Sequence, residues 1–243
     1  MNKNTLLTFI EKYNLGGVVE SVKFISDEKT LKTSFVSEDK TLAGMVTAKK
    51  FELDKCELPV FDTAKLKTLL KILEDEVNIK LEKSGDRMIG LFISDSNTEV
   101  NFMLSDPSVI PQAPKVKEIK SFDVEIPIDD EFIERFTKAK NALPDIDSFT
   151  LMMNKKGDKL ELVIGYAEIS SNRIKLDVKP TKGKDKLENP ISFNANYFRE
   201  VLNKNKEAKG AVFKVASAGI SQVDFTTDEF DSTYFLIKKA TES

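Results

Sequence analysis

The sequence predicts an α+β protein of two similar halves, each built from two helix-plus-strands repeats. Three observations predict it. Short alternating apolar and polar segments mark many half-buried strands, only four stretches carry a helical period, and a proline-rich segment divides the chain near its middle.

The dividing segment, residues 105–121, reads SDPSVIPQAPKVKEIKS and holds Pro107, Pro111 and Pro114. Proline removes backbone donors and favours extended conformations, so this reads as a semi-rigid connector. The expected organisation is a domain over 1–105, a connector over 106–121 and a second domain over 122–243. Strand patterns in the first half fall at 19–25, 43–48, 55–61, 77–83, 88–94 and 99–104. In the second half they fall at 122–128, 149–154, 159–166, 173–179, 211–216, 220–226 and 233–238. Helical periods cover 3–13, 62–73, 129–143 and 194–206, and three of these open on Asp or Asn, which cap first-turn amides.

The helices recur at near-even spacing, the last three starting at 62, 129 and 194. Two junctions match at an offset of 132 residues. Val60-Phe61-Asp62-Thr63-Ala64 leads into Leu69-Leu70, and Ser192-Phe193-Asn194-Ala195-Asn196 leads into Val201-Leu202. Each is a strand, an aromatic, a cap and a helix. One unit repeated four times accounts for the pattern.

Composition narrows the chemistry. The 243 residues include no His, no Trp and one Cys, with 37 basic and 40 acidic side chains for a formal charge of −3. Without His there is no Ser-His-Asp or Cys-His nucleophile and no imidazole-ligated zinc or haem. Cys56 alone makes no internal disulfide and reads as a small buried hydrophobe in a strand. No cofactor is implied. At 40% hydrophobic the chain can bury a core, and no run approaches the roughly 18 apolar residues of a membrane span. The opening MNKNTLLTFIEKYN lacks a signal-peptide apolar region, so the cytoplasm is the expected location.

Helical wheels locate the charge. The first helix is expected to bury Leu6, Phe9, Ile10 and Tyr13 and expose Asn4, Thr8 and Lys12. The second buries Leu66, Leu69, Leu70 and Leu73 opposite Lys67, Thr68 and Lys71. The third buries Phe132, Phe136, Ala139 and Leu143, leaving Glu134, Lys138 and Asn141 outward and Arg135 at the margin. The fourth buries Tyr197, Phe198, Val201 and Leu202 and shows Asn196, Arg199, Asn203 and Lys206. The four windows carry net charges of +1, +2, −1 and +2, so the rest of the chain carries −7. A solvated helical face explains any one such stripe. Its recurrence on four helices points to a polyanionic partner.

Repeated helix-plus-strands units in two halves, the connector, the cationic helix faces and the acidic remainder together resemble the DNA sliding clamps. A first helix starting almost at the N-terminus and the run Ser105-Asp-Pro-Ser-Val-Ile-Pro look closest to the trimeric clamps of tailed bacteriophages. The resemblance implies a DNA-clamp fold, ring-forming, with three subunits presenting their helices to a central hole. It implies no enzymatic activity. Double-stranded DNA would pass through the hole, held without base readout through Lys12, Lys67, Lys71, Lys138, Arg199 and Lys206, in contacts weakened by salt. It also implies a DNA polymerase tethered by the clamp, a clamp-loader ATPase, and self-association as a homotrimer. Ring closure would join strand edges at 98–104 and 173–179, placing Glu99, Val100, Phe102, Leu104, Ile174, Leu176 and Val178 at the subunit interface. Partner peptides would enter an apolar pocket between the domains, formed by Phe35, Val36, Leu42, Val109, Ile110, Pro111, Tyr234, Leu236 and Ile237, although any of these can equally be core.

Two other classes stay open on the residues. A monomeric nucleic-acid or peptide-binding module on the same sheets would need exposed aromatics for stacking, whereas the 17 Phe lie mostly in apolar phase. A carboxylate-metal hydrolase could use Asp129-Asp130-Glu131 or Asp228-Glu229-Phe230-Asp231, which read more simply as a helix start and a turn. The loop Thr181-Lys-Gly-Lys-Asp-Lys186 lacks phosphate-loop spacing and reads as solvated.

Overall fold

Asparagine or aspartate starts all four helices of the described residues, accepting a first-turn amide that has no intrahelical partner. In this computed structural model, which describes residues 2–114, 119, 121–166, 172–183 and 187–239, α1 spans Lys3–Asn14 and is capped by Asn2. Asp62 caps α2 (Thr63–Leu70), Asp129 caps α3 (Asp130–Ala142) and Asn194 caps α4 (Ala195–Asn203). Each such cap contributes about 1 kcal/mol. Connector residues 115–118 and 120, and residues 184–186 of the lysine-rich loop, lie outside the described residues.

The chain divides into two compact units. The first comprises Met1–Glu38, Gly44–Pro114 and Asp228–Ser232; the second comprises Asp39–Ala43, Lys115–Thr227 and Thr233–Ser243. The strands, in chain order, are β1 (Val22–Ser26), β2 (Leu31–Val36), β3 (Leu42–Ala48), β4 (Cys56–Val60), β5 (Asn78–Ser84), β6 (Arg87–Ser94) and β7 (Glu99–Met103). They continue with β8 (Val124–Ile128), β9 (Ser148–Met153), β10 (Leu160–Ile164), β11 (Ile174–Val178), β12 (Ile191–Asn194), β13 (Ala211–Ala216), β14 (Ile220–Thr226) and β15 (Phe230–Ile237). In the first unit one sheet runs β4-β1-β2-β3 and a second runs β5-β6-β7. In the second unit one runs β15-β14-β13-β8 and the other β11-β10-β9-β12. The antiparallel registers are those of neighbouring hairpins, such as Leu162 opposite both Leu176 and Leu151.

Aromatic side chains fill the space between helices and sheets. In the first unit Phe9 meets Phe24 edge-on at 5.2 Å and Tyr13 at 5.7 Å. In the second, the Phe198 ring lies 4.7 Å from Phe213, 4.9 Å from Phe136 and 5.0 Å from Phe149. Buried aromatic pairs of this kind add about 0.5–1.5 kcal/mol beyond their area.

Four details differ from expectation. The strand β2 escaped the pattern because Thr33 occupies a core position, where its hydroxyl is buried and donates to Lys23 O. β12 is only four residues long and lies inside the strand-aromatic-cap-helix junction that opens α4, outside the strand patterns. The second and fourth helices end at Leu70 and Asn203, three residues short of their periodic patterns, in turns closed by bonds such as Leu73 N–H to Leu70 O. On α3 the buried stripe is Ile133, Phe136, Ala139 and Lys140, so Phe132 and Leu143 are only half-buried. Ahead of α1, Asn2 makes a single antiparallel bridge to Glu76.

Candidate nucleic-acid interface

The two helices of each unit lie side by side, α1 with α2 and α3 with α4. Their buried faces are set by the apolar stripes, so the opposite faces decide what a polyanion meets. On α2, Leu66 and Leu70 are buried, which leaves Lys65, Thr68 and Lys71 exposed and Lys67 half-buried. Among the described residues, the ammonium groups of Lys65, Lys71 and Lys206 have neither an ion-pair nor a hydrogen-bond partner. These three are open to an external anion.

The other expected cations are engaged. Lys67 Nζ donates to Asn14 Oδ1 at 3.4 Å. Arg199 bonds Glu200 through Nε and Nη2, and Asn141 Oδ1 through Nη1 at 3.2 Å. Lys138 is exposed but paired with Glu134 one turn earlier, an arrangement mirrored by Arg135 with Glu131 at 3.6 Å. Exposed pairs of this kind are screened and weak, yet they neutralise local charge.

Lys12 does not belong to the surface set. It is 1% exposed, and its ammonium lies 5.4 Å from the centre of the Phe230 ring. The wheel placed it outward because it treats a helix as having one covered face, while α1 is covered more widely. Lys3 is buried as well, donating to Leu73 O. Sequence reasoning passed over Lys65, which sits on the flank of α2 opposite Lys67; the same wheel shows it, two residues before Lys67.

The expected peptide-pocket residues separate by burial. Phe35, Leu42, Ile110, Tyr234 and Leu236 are core, Val36 is half-buried, and Val109, Pro111 and Ile237 are exposed. Tyr234 is held within its own unit by Asn205 Nδ2, which donates to its hydroxyl at 2.9 Å.

Of the expected subunit-interface residues, Val100 and Phe102 are buried beneath β7, Glu99 is exposed, and Leu104 continues the ladder through its amide to Ile89 O. Ile174, Leu176 and Val178 are half-buried on β11. Leu176 and Val178, with Ile126, Pro127 and Phe132, line a groove of about 480 Å³ beside α3. Both strands are sheet edges. Other edges carry local cover: Ser105 N–H reaches Pro59 O on β4, Glu125 N–H reaches Lys182 O on β8, and Lys239 N–H reaches Ser192 O on β12. β5 is broken by a register shift at Glu82/Lys83 and carries charged side chains, devices that discourage pairing.

The acidic clusters have structural work. Asp129 caps α3, Asp130 bonds Lys209 and Glu131 faces Arg135. Among the described residues no group of three or more His, Cys, Asp or Glu is arranged around a metal position. The Cys56 thiol is pushed up to about 11, first by burial and then by Asp54, so it is protonated and unreactive at neutral pH. No helix of the described residues is long and apolar enough to cross a membrane.

Comparison with solved structures settles the architecture. Proliferating cellular nuclear antigen from Entamoeba histolytica superposes with a TM-score of 0.71 at 14% identity, covering 99% of this chain and 97% of that one. PCNA from A. fulgidus, in a structure with the C-terminal region of FEN-1 bound, gives 0.71 at 16% identity, covering 100% and 98%. The chain has the sliding-clamp fold. No family model and no curated protein matches the sequence. The clamp fold thus persists over the full chain where sequence identity has nearly vanished. Lys65, Lys67, Lys71, Arg199, Lys204 and Lys206 are the cations on or just beyond the second helix of each unit.

Proposed function

We propose that this chain is a DNA sliding clamp: a non-enzymatic ring that encircles double-stranded DNA and tethers a replicative DNA polymerase, conferring processivity. The observation that carries the reading is the clamp fold over the whole chain, with each unit presenting cations from its second helix. Phosphates attract such cations without regard to base sequence, so the contacts are salt-sensitive and permit sliding. Escape is prevented by closure of the ring rather than by affinity. The acidic remainder of the chain disfavours DNA anywhere else.

The ring is proposed to be a homotrimer, as in the bacteriophage clamps that the connector resembles. The edges of β7 and β11, left open beside the locally covered β4, β8 and β12, support pairing of one copy's β7 with the next copy's β11. Exposed Val109, Pro111 and Ile237 are the surface remainder of the expected peptide pocket and are proposed to contact polymerase or loader tails. Opening by a clamp-loader ATPase and action in the cytoplasm complete the proposal.

The test combines mass and topology. Sedimentation should give three times the chain mass, and the loaded protein should stay on closed circular duplex DNA but run off once the circle is cut. A monomer at all micromolar concentrations, or equal retention on linear DNA, overturns the reading.

A further inference from the structure

Lys67 and Arg199 occupy equivalent places in the two units. Each is the fifth residue of the second helix of its unit, and they are 132 residues apart, the same offset that relates the two helix junctions. Each also donates to the side-chain oxygen of an asparagine at the C-terminal end of the first helix: Asn14, the last residue of α1, and Asn141, the penultimate residue of α3. The same kind of bridge stands in both units, on lysine in one and arginine in the other.

The asparagine is itself oriented. Asn14 is buried, and its amide nitrogen donates to Val19 O at 2.7 Å and to Glu20 Oε1 at 3.2 Å. That leaves the amide oxygen as the group turned to Lys67. Glu20 in turn accepts from Ala64 N–H in the first turn of α2, so one network joins the end of α1 to the start of α2. In the second unit Glu200 takes Nε and Nη2 of Arg199 while Asn141 takes Nη1. Three of five guanidinium donors are engaged and two remain for an outside acceptor.

We infer that Asn14 and Asn141 are positioning residues that hold Lys67 and Arg199 ready for nucleic-acid phosphate. The inference rests on the clamp reading above. A long cationic side chain loses rotamer freedom when it meets a phosphate, and that loss weakens binding. For Lys67 a neutral amide oxygen restrains the cation beforehand without cancelling its charge; for Arg199 Glu200 already pairs with Nε and Nη2, and Asn141 fixes the Nη1 end of the fork. The polyanion then meets a side chain already ordered, at the seam between two helices.

Asn141 is exposed, so Asn141→Ala retains the fold and carries the test; Asn14 is buried and its replacement disturbs Val19 as well. Binding of a labelled duplex of about 30 base pairs is read by fluorescence anisotropy across a salt series, with the melting temperature of each variant measured alongside. Arg199→Ala is expected to weaken binding and lower the salt slope by about 0.9 for each copy of Arg199 in the ring that touches phosphate. Asn141→Ala is expected to weaken binding about threefold to tenfold with the salt slope and melting temperature unchanged. Added to Arg199→Ala, it should have no further effect. If the unaltered protein fails to stay on closed circular duplex in the retention test above, the clamp reading falls and this inference with it; if it stays there but shows no affinity for the short duplex even at low salt, positioning is overturned and the clamp reading stands. If the protein binds and Arg199→Ala weakens it, but Asn141→Ala does not, positioning is overturned and the clamp reading stands. An equal effect of Asn141→Ala with and without Arg199 overturns positioning too.

Discussion

The first helix of each unit buries a lysine near its end, whereas Lys65 on α2, Lys71 at its cap and Lys206 beyond α4 stand exposed. On α1, Lys3 and Lys12 are buried, and on α3 Lys140 is 1% exposed, its ammonium donating to Leu143 O and Pro144 O. Lys12 and Lys140 lie 128 residues apart, each two residues before the end of its helix. Lys140 closes the end of α3 through these carbonyls, and the buried alkyl stems of all three lysines fill space. The remaining cations of α3, Arg135 and Lys138, are spent in pairs with Glu131 and Glu134. Lys65 and Lys71 at α2 and Lys206 beyond the end of α4 are exposed and have no partner among the described residues, while Arg199, the cation of α4 itself, is half-buried and paired with Glu200. Net helix charge does not distinguish these uses. Only the geometry of burial and pairing tells a structural lysine from an available one.

The largest expected effect breaks the comparison on the α2/α4 side. Replacing Lys67, Lys71, Arg199 and Lys206 together by Ala should weaken duplex binding by about a hundredfold or more and flatten the salt dependence by about three to four contacts. Stability should change little, because these groups are exposed or half-buried. Anisotropy titrations over salt, with thermal melts as control, measure both. An unchanged salt slope would remove these residues from the interface.

Most of the fold was legible because its signals are local. Cap residues and apolar stripes located all four helices to within three residues, and the Phe61–Leu70 and Phe193–Leu202 junctions disclosed the repeat. Thr33 shows where such signals stop, since a buried hydroxyl satisfied by Lys23 O looks polar in sequence. The interface was legible only in part. Lys71 and Lys206 face outward as the wheel has it, but Lys12 does not, because its cover comes from Phe230, more than 200 residues further along the chain. Glu200 beside Arg199 was also invisible to a wheel that sorts residues by phase rather than by contact. Long-range cover such as that over Lys12 is a tertiary fact that no helical period encodes, whereas Glu200 stands next to Arg199 in the chain and its pairing is local.

The next largest effect lies on the α1/α3 side and concerns stability. Lys140→Ala removes two charge-assisted bonds to carbonyls at the end of α3 and the packing of the stem, at an expected cost of about 1–2 kcal/mol. Burial, with Arg199 close by, holds the Lys140 pKa below its usual value, so part of this cost is offset by relief of a strained charge. Duplex affinity and its salt slope should both be unaltered. Denaturant melts show the first and anisotropy the second. A loss of affinity without a loss of stability would put Lys140 with the α2/α4 cations and collapse the distinction.

A smaller effect, visible only in alkali, probes how α1 is fastened to α2. Thr63 Oγ1 donates to Glu20 O at 2.8 Å, so the 2.9 Å contact between Tyr13 and Thr63 has the phenol as donor. Burial raises the Tyr13 pKa well above its ordinary 10, against the lowering effect of the Thr63 bond. A raised pKa means that the folded chain keeps the proton when the unfolded chain has released it. The stability Tyr13 contributes is therefore complete below pH 10 and declines as pH rises above it. Cys56, raised from 9.0 to about 11, acts in the same direction, while Lys140, with its lowered pKa, acts in the opposite one. Comparing the protein with its Tyr13→Phe variant cancels both. At pH 7 the variant should be about 1 kcal/mol less stable, through loss of one buried hydrogen bond. Between pH 9 and 11 it should lose less stability than the parent, so the two denaturation midpoints converge. Parallel curves would mean that Tyr13 does not resist ionisation, and that α1 is held to α2 by apolar packing without the phenol bond.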